Sequence, residues 1–205
     1  MPANLFLSHE NGGKRMGKWT QFDMEVIKVL RREGIFEDGN TQKLESPDGE
    51  IVVTCADGDQ MPDMFSHQCE LADKGGWPVR PHVLSLHGGA MLMAEDCPLY
   101  QEFRVDELLL QHIREAEGKD LKGIGTVFLY IHVPCGAAGL AKLNLVNQIV
   151  FLMRAKERVK EIDSTNKVLC FVHVDYGTGR RRTYFISYTK WMEFWKEKAS
   201  RLGWR

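Results

Sequence analysis

The sequence predicts an α/β fold: a mostly parallel central sheet of four strands plus an antiparallel edge strand, with helices on both faces. Three observations carry this. Four short apolar runs, "EIVVTC" ending at Cys55, "PHVLSL" ending at Leu86, "GTVFLYIH" ending at His132 and "KVLCFVHV" ending at Val174, are too continuous for half-exposed strands and too short for helices. Stretches of helical periodicity separate the later runs, which implies βαβ crossovers. A chain of 205 residues has room for one such sheet, covered on both sides, in a single domain spanning 1–205.

In chain order, residues 1–50 read as a peripheral N-terminal helical arm. "WTQFDMEVIKVLRREGIF" sets Phe22, Val26, Ile27 and Leu30 at helical spacing, with Gly34 as a stop. Its apolar stripe lies outside the βαβ pattern, so it is expected to pack across a partner subunit. "EDGNTQKLESPDGE" is a polar, turn-rich connection. The α/β core follows over 51–187. "FRVDELLLQHIREAEG" packs Val105, Leu108, Leu109 and His112–Ile113 on one side, and "AAGLAKLNLVNQIVFLMRAKERVKEI" carries Leu140, Leu143, Val146, Val150 and Met153 in one helical series. After the fourth run, Gly177 and Gly179 make a tight turn and "RRTYFIS" returns as the antiparallel edge strand. The C-terminal helix, 188–205, is aromatic-rich; Trp191, Phe194 and Trp195 at helical spacing read as core or dimer-interface residues.

Composition narrows the function classes. A formal net charge of -1 removes the electrostatic reason to expect nucleic acid or an anionic membrane as the main partner. The N-terminus "MPANLFLSHENGGKRMG" lacks a basic segment followed by a long apolar one, so no signal peptide is expected, and no run approaches the roughly 20 apolar residues of a membrane span. Five cysteines, an odd number without dense disulfide spacing, point to a reducing, cytoplasmic compartment in which thiols are buried, catalytic or metal-binding. No Walker loop, dinucleotide fingerprint, Gly-x-Ser-x-Gly elbow or His-Glu-x-x-His is present.

In a parallel sheet, ligands gather beyond the carboxyl ends of the strands, above all where strand order reverses. Cys55 closes the first run, His132 closes the third, and Cys135 sits just after it in "IHVPCGAAG". If those strands are neighbours, two thiolates and one imidazole converge, a donor set that suits Zn²⁺ and leaves a fourth position for water or a carboxylate. A helix starting near Gly136–Ala138 would aim its amides at Cys135 and favour the thiolate. Taken singly, Cys55 reads as a buried small hydrophobe, His-x-x-Cys as chance, and Asp57 as a turn or cap residue; their joint placement is what points to a metal.

These segments resemble the β-class carbonic anhydrases. "TCADGDQMPD" is similar to the family's Cys-x-Asp-x-Arg segment with a proline, here Pro62, a few residues on. "YIHVPCGAAG" is similar to its His-x-x-Cys-Gly segment, "LSLHGGAML" falls where it has a glycine-containing loop, and "VHVDYGTGRRRTYF" resembles its late hairpin. The resemblance runs from about Ile51 to Ser187 and implies Cys55, His132 and Cys135 as zinc ligands. It implies Asp57 as the catalytic carboxylate, either on the fourth metal position or swung away to orient a zinc-bound hydroxide, and His87, Gly88, Gly89 and Gly136 beside the substrate. The implied reaction is reversible hydration of CO₂ to bicarbonate, in a homodimer or dimer of dimers. The chain departs from the family at Asp59, where an arginine normally pairs with the aspartate and holds it off the metal. Two states follow: Asp57 stays on zinc and closes the site, or another basic group, Arg80 being nearest in sequence, takes the arginine's part.

Other motifs read more plainly. His67, Cys69 and His87 line loops or pack locally, "SHQC" lying in a turn-rich insertion with no matching ligand pair. Arg180–Arg182 reads as a solvated hairpin, since no interleaved basic and aromatic surface supports nucleic-acid binding. Three functions are consistent with the sequence: a zinc lyase hydrating CO₂, a zinc hydrolase of a linear analogue such as carbonyl sulfide or carbon disulfide, and a non-catalytic zinc-binding relative.

Overall fold

The four apolar runs form four parallel strands: β2 (Glu50–Thr54), β3 (Pro81–Ser85), β4 (Thr126–Val133) and β5 (Lys167–Asp175). The computed structural model describes residues 19–38, 49–72, 80–119, 122–177 and 179–204; the N-terminal "MPANLFLSHENGGKRMG" and most of the polar connection before β2 lie outside them. Every residue of β2 and β4 is buried, as a strand covered on both faces requires. β3 is only half-buried, because it forms one edge of the sheet.

With β1 (Phe36–Asp38) and β6 (Arg181–Ile186), the sheet has six strands among the described residues, in the order β1-β6-β5-β4-β2-β3. β6 (Arg181–Ile186) returns antiparallel along β5, as the hairpin pattern predicts, but it is not the edge. A three-residue strand, β1 (Phe36–Asp38), pairs antiparallel with it, and the Phe36 ring stacks on Tyr184 at 4.9 Å. Three residues are too few to show a period, so this strand escapes sequence reading.

Helix α1 (Gln21–Arg32) buries Val26, Ile27 and Leu30, with Gly34 just past its end at φ 67°. Its stripe is covered by its own chain, so the stripe alone gives no reason for a partner subunit. The buried Asp23 explains the docking: its carboxylate accepts from the Leu145 amide at 2.8 Å and from the Thr20 hydroxyl at 2.6 Å, tying α1 to the start of α5 (Leu145–Ile162). Phe22 instead faces outward, against Trp204.

Three further expectations are corrected. The "SHQC" region is part of helix α2 (Met61–Ala72), which buries Met64, Gln68 and Leu71 at helical spacing. Its polar composition hid the period. Helix α3 (Val105–Glu117) turns Leu109, Leu110, Ile113 and Ala116 inward and leaves Leu108 and His112 outside. The long helix after Cys135 is two: α4 (Gly136–Leu140) and α5, interrupted where Asn144 caps α5 through a reciprocal bond with Asn147. Leu140 is accordingly exposed. Helix α6 (Tyr188–Glu197) packs Trp191 and Phe194 into the core, and Trp191 stacks on Trp195. Among the described residues, no helix is long and apolar enough to cross a membrane.

Two stability outcomes follow. Asp23→Ala removes an acceptor from the Leu145 amide and should lower the unfolding free energy in urea by about 1–3 kcal/mol, whereas Phe22→Ala should cost less. His67, on α2, bonds Tyr130 at 3.0 Å, meets the edges of Tyr130 and Phe171, and is pushed down by burial to about 4. The unfolded chain therefore takes up that proton first, so its contribution is complete above the ordinary value near 6.5 and drains away as pH falls toward about 4. His67→Gln should flatten this part of the stability–pH curve.

Candidate metal centre

The strand order fixes where a site forms. From β2 the chain moves outward to β3, then returns past β2 to β4 and on to β5. Right-handed crossovers in opposite directions place α2 on one face of the sheet and α3 with α5 on the other. Strand order reverses between β2 and β4, and the two connections leaving this pair diverge, opening a crevice at their carboxyl ends. Cys55 immediately follows β2, His132 is the penultimate residue of β4, and Cys135 is the cap of α4.

The Cys55 and Cys135 sulfurs and a ring nitrogen of His132 all lie within 4.8 Å of one another. All three residues are at most 5% exposed, so these donors sit in a water-poor environment. Neither His132 ring nitrogen has a hydrogen-bond partner among the described residues. A buried imidazole without partners is costly and calls for a group that accepts its lone pair.

Backbone amides surround the sulfurs. The Gly88 N–H donates to the Cys55 sulfur at 3.3 Å, and the Ala137 and Ala138 amides at the start of α4 face the Cys135 sulfur. The neighbouring Cys135 thiol, with His132 and the Gly88 amide, holds the Cys55 thiol well below the usual range, against the opposing effect of burial. The neighbouring Cys55, with burial, pushes Cys135 up. The pair thus gives up one proton readily and resists losing the second, until a cation balances the charge.

Asp57 completes the arrangement. Its Oδ1 accepts from the Asp59 amide at 2.9 Å, and its Oδ2 stands 3.8 Å from His132 Nε2. Two donors about 2.0–2.3 Å from one tetrahedral ion stand about 3.3–3.8 Å apart, so this carboxylate is within reach of the fourth position. Among the described residues, no lysine or arginine approaches it within 4.0 Å. Arg80 does not take the missing arginine's part: it precedes β3, and its carbonyl accepts from Glu50 at the amino end of β2, the opposite end of the sheet. The nearby cation is Arg181, which bonds the Asp59 carbonyl at 2.9 Å but pairs its charge with Asp63 and Asp175. The Asp59 side chain is exposed, and its backbone, rather than its carboxylate, orients Asp57.

Of the other expected site residues, Gly88 and Gly89 lie directly against Cys55. A Cβ on Gly89, whose φ is 60°, would stand 2.7 Å from the Tyr130 carbonyl and 2.9 Å from the Cys55 amide. His87 is exposed, and Gly136 opens α4. A cavity of about 230 Å³ reaches Cys135 between α1 and α5, lined by Thr20, Val133, Lys142 and Gln148 among others. Sequence reasoning missed the flanking polar group. His173 pairs with His132 across β4 and β5, bonds Thr183 at 2.9 Å, and is pushed down by burial to about 4. Gln60 donates to Asp175 at 2.9 Å. The echo of "YIHV" in "CFVHV" is the signal that could have found His173.

No protein-family model matches the chain, and no curated protein does. Among solved structures, the crystal structure of β-carbonic anhydrase isoform I from the protozoan Trichomonas vaginalis is similar over 82% of this chain and 99% of that one, at 12% identity and a TM-score of 0.43. A likeness at that level decides nothing about chemistry.

Metal content tests the donor set. Purified protein should carry about one zinc per chain, and Cys135→Ala or Cys55→Ala should strip it, while Cys69→Ala and Cys170→Ala retain it. Gly89→Ala should displace Cys55 and lower occupancy as well. Full occupancy in the Cys135 variant would sink the assignment.

Proposed function

We propose that the protein is a zinc-dependent lyase of the carbonic anhydrase kind, hydrating CO₂ reversibly to bicarbonate, with Asp57 governing the fourth position of the metal. The observation that supports this most is the convergence of the Cys55, Cys135 and His132 donors at the β2–β4 switch point, with Asp57 Oδ2 3.8 Å from the imidazole. Zn²⁺ would supply here a Lewis acid able to lower the pKa of water toward neutrality. Cys55, His132 and Cys135 would hold the cation, and the Gly88, Ala137 and Ala138 amides would spread the thiolate charge. Asp57, anchored through Oδ1, keeps Oδ2 free to accept a hydrogen bond from water or to occupy the open position itself. The cavity reaching Cys135 is where a small linear substrate would stand. The same site would serve a hydrolase of carbonyl sulfide or carbon disulfide, distinguished by sulfide release.

A second reading has its own support. With no guanidinium among the described residues within 4.0 Å to hold Asp57 aside, the carboxylate on zinc would make the site closed and structural. Stopped-flow hydration across pH separates the two. As a lyase, the zinc-loaded protein should be slow near neutrality and faster in the alkaline range, where hydroxide competes with Asp57. Asp59→Arg should draw Asp57 into an ion pair and raise the neutral rate. Full zinc with no hydration at any pH would leave the closed site. Cobalt substitution checks the ligand directly: Asp57→Ala should change the visible spectrum, and an unchanged spectrum removes Asp57 from the metal. The homodimer or dimer of dimers is part of this proposal, and light scattering at micromolar concentration measures it.

A further inference from the structure

A second cavity, about 660 Å³, opens between α1 and the β5–β6 hairpin, away from the cysteines. Four of its lining residues are arginines: Arg31 from α1, and Arg180, Arg181 and Arg182 from the hairpin. Tyr176 and Tyr184 form its aromatic wall, and among the described residues no carboxylate lines it. In a chain whose net charge is -1, this is a local concentration of positive charge that overall composition hides.

The arginines are not all neutralised. Arg181 is paired with Asp63 and Asp175, and Arg182 stands 3.6 Å from the exposed Asp38. Arg31 lies 5.8 Å above the Tyr184 ring and Arg180 projects from the turn, and neither has a carboxylate partner among the described residues. Arg31 and Arg180, lining one cavity without carboxylate partners, leave positive charge there that an anion would balance. The tyrosines add a donor: their hydroxyls bond each other at 2.8 Å, which uses one phenolic proton and leaves the other without a protein acceptor among the described residues. Behind them the wall is rigid, since Tyr184 is 1% exposed and stacked on Phe36, and Tyr176 is stacked on Trp19.

From this geometry we infer that the pocket is a second ligand site, for a small molecule bearing phosphate groups. Guanidinium forks match phosphate oxygens two at a time, and a phenolic O–H suits a third oxygen. The volume falls in the range of small-molecule sites, roughly 300–1,000 Å³, large enough for a nucleotide-sized phosphate ester rather than a bare anion. The inference rests on none of the metal ligands.

Calorimetric titration of the zinc-loaded chain with pyrophosphate and with ADP tests it. Saturable binding of either, weakening steeply with added salt and falling about tenfold or more in the Arg31→Ala/Arg180→Ala double variant, is the expected result. Zinc content should not change, which keeps failure here separate from failure at the metal centre. Tyr176→Phe should weaken binding without loss of the thermal transition. Absence of saturable binding at millimolar pyrophosphate and ADP overturns the inference. So does binding that the double variant leaves unchanged. Tight binding of a single-stranded oligonucleotide with neither small phosphate bound would assign the surface to nucleic acid and overturn it too.

Discussion

The reversal of strand order between β2 and β4 is the constraint on which the candidate metal centre depends. Each right-handed crossover sends its helix to the face that its direction demands. Two neighbouring parallel strands whose crossovers run in opposite directions must part at their carboxyl ends. Cys55 and His132 occupy those two ends, and the turn into α4 adds Cys135 within two further residues of β4. The buried ladder beneath them is rigid: no side chain in β2 or β4 reaches solvent appreciably, so the donors are carried by backbone that has little freedom to drift.

Around that core, two loops stand against the candidate donors. The Gly88–Gly89 turn approaches Cys55 so closely that a side chain at Gly89 would strike backbone, and it delivers one amide to the sulfur. On the other side, the loop between β2 and α2 anchors Asp57 through an amide of its own backbone. Arg181 grips that loop at the Asp59 carbonyl while its charge is spent on Asp63 and Asp175. A carboxylate oriented by a neutral amide keeps its full charge for a cation, whereas one held in an arginine pair does not. Among the described residues, Asp57 therefore keeps an unbalanced carboxylate charge beside the candidate metal donors.

Arg181 also marks the boundary between the two polar regions of the molecule. Its neighbours Arg180 and Arg182 sit on the same hairpin with Arg31 across from them, and α1, which supplies Arg31, is held by its buried stripe and by the bond from the Leu145 amide to Asp23. That docking buries the apolar stripe that sequence reading expects to lie on a partner subunit.

The sequence by itself determined the four parallel strands, the hairpin after them and the residues that can ligate a metal. Each of these is written locally, as a continuous apolar run, a Gly-x-Gly turn, or a cysteine or histidine at a run's end. It also placed Asp59 two residues after Asp57, in the loop that follows the first run. Tertiary structure decided the rest. Strand β1 is legible only through its pairing with β6, and α2 only through what it covers, since neither has a clear period of its own. Arg80, near Asp57 in sequence, lies at the far end of the sheet, because the parallel strand it precedes starts where β2 starts. Arg31 and Arg180, some 150 residues apart, share a cavity that no linear pattern contains. Local chemistry is encoded in the order of residues, but which distant charges face one another is set by how the strands are ordered and which helix caps which.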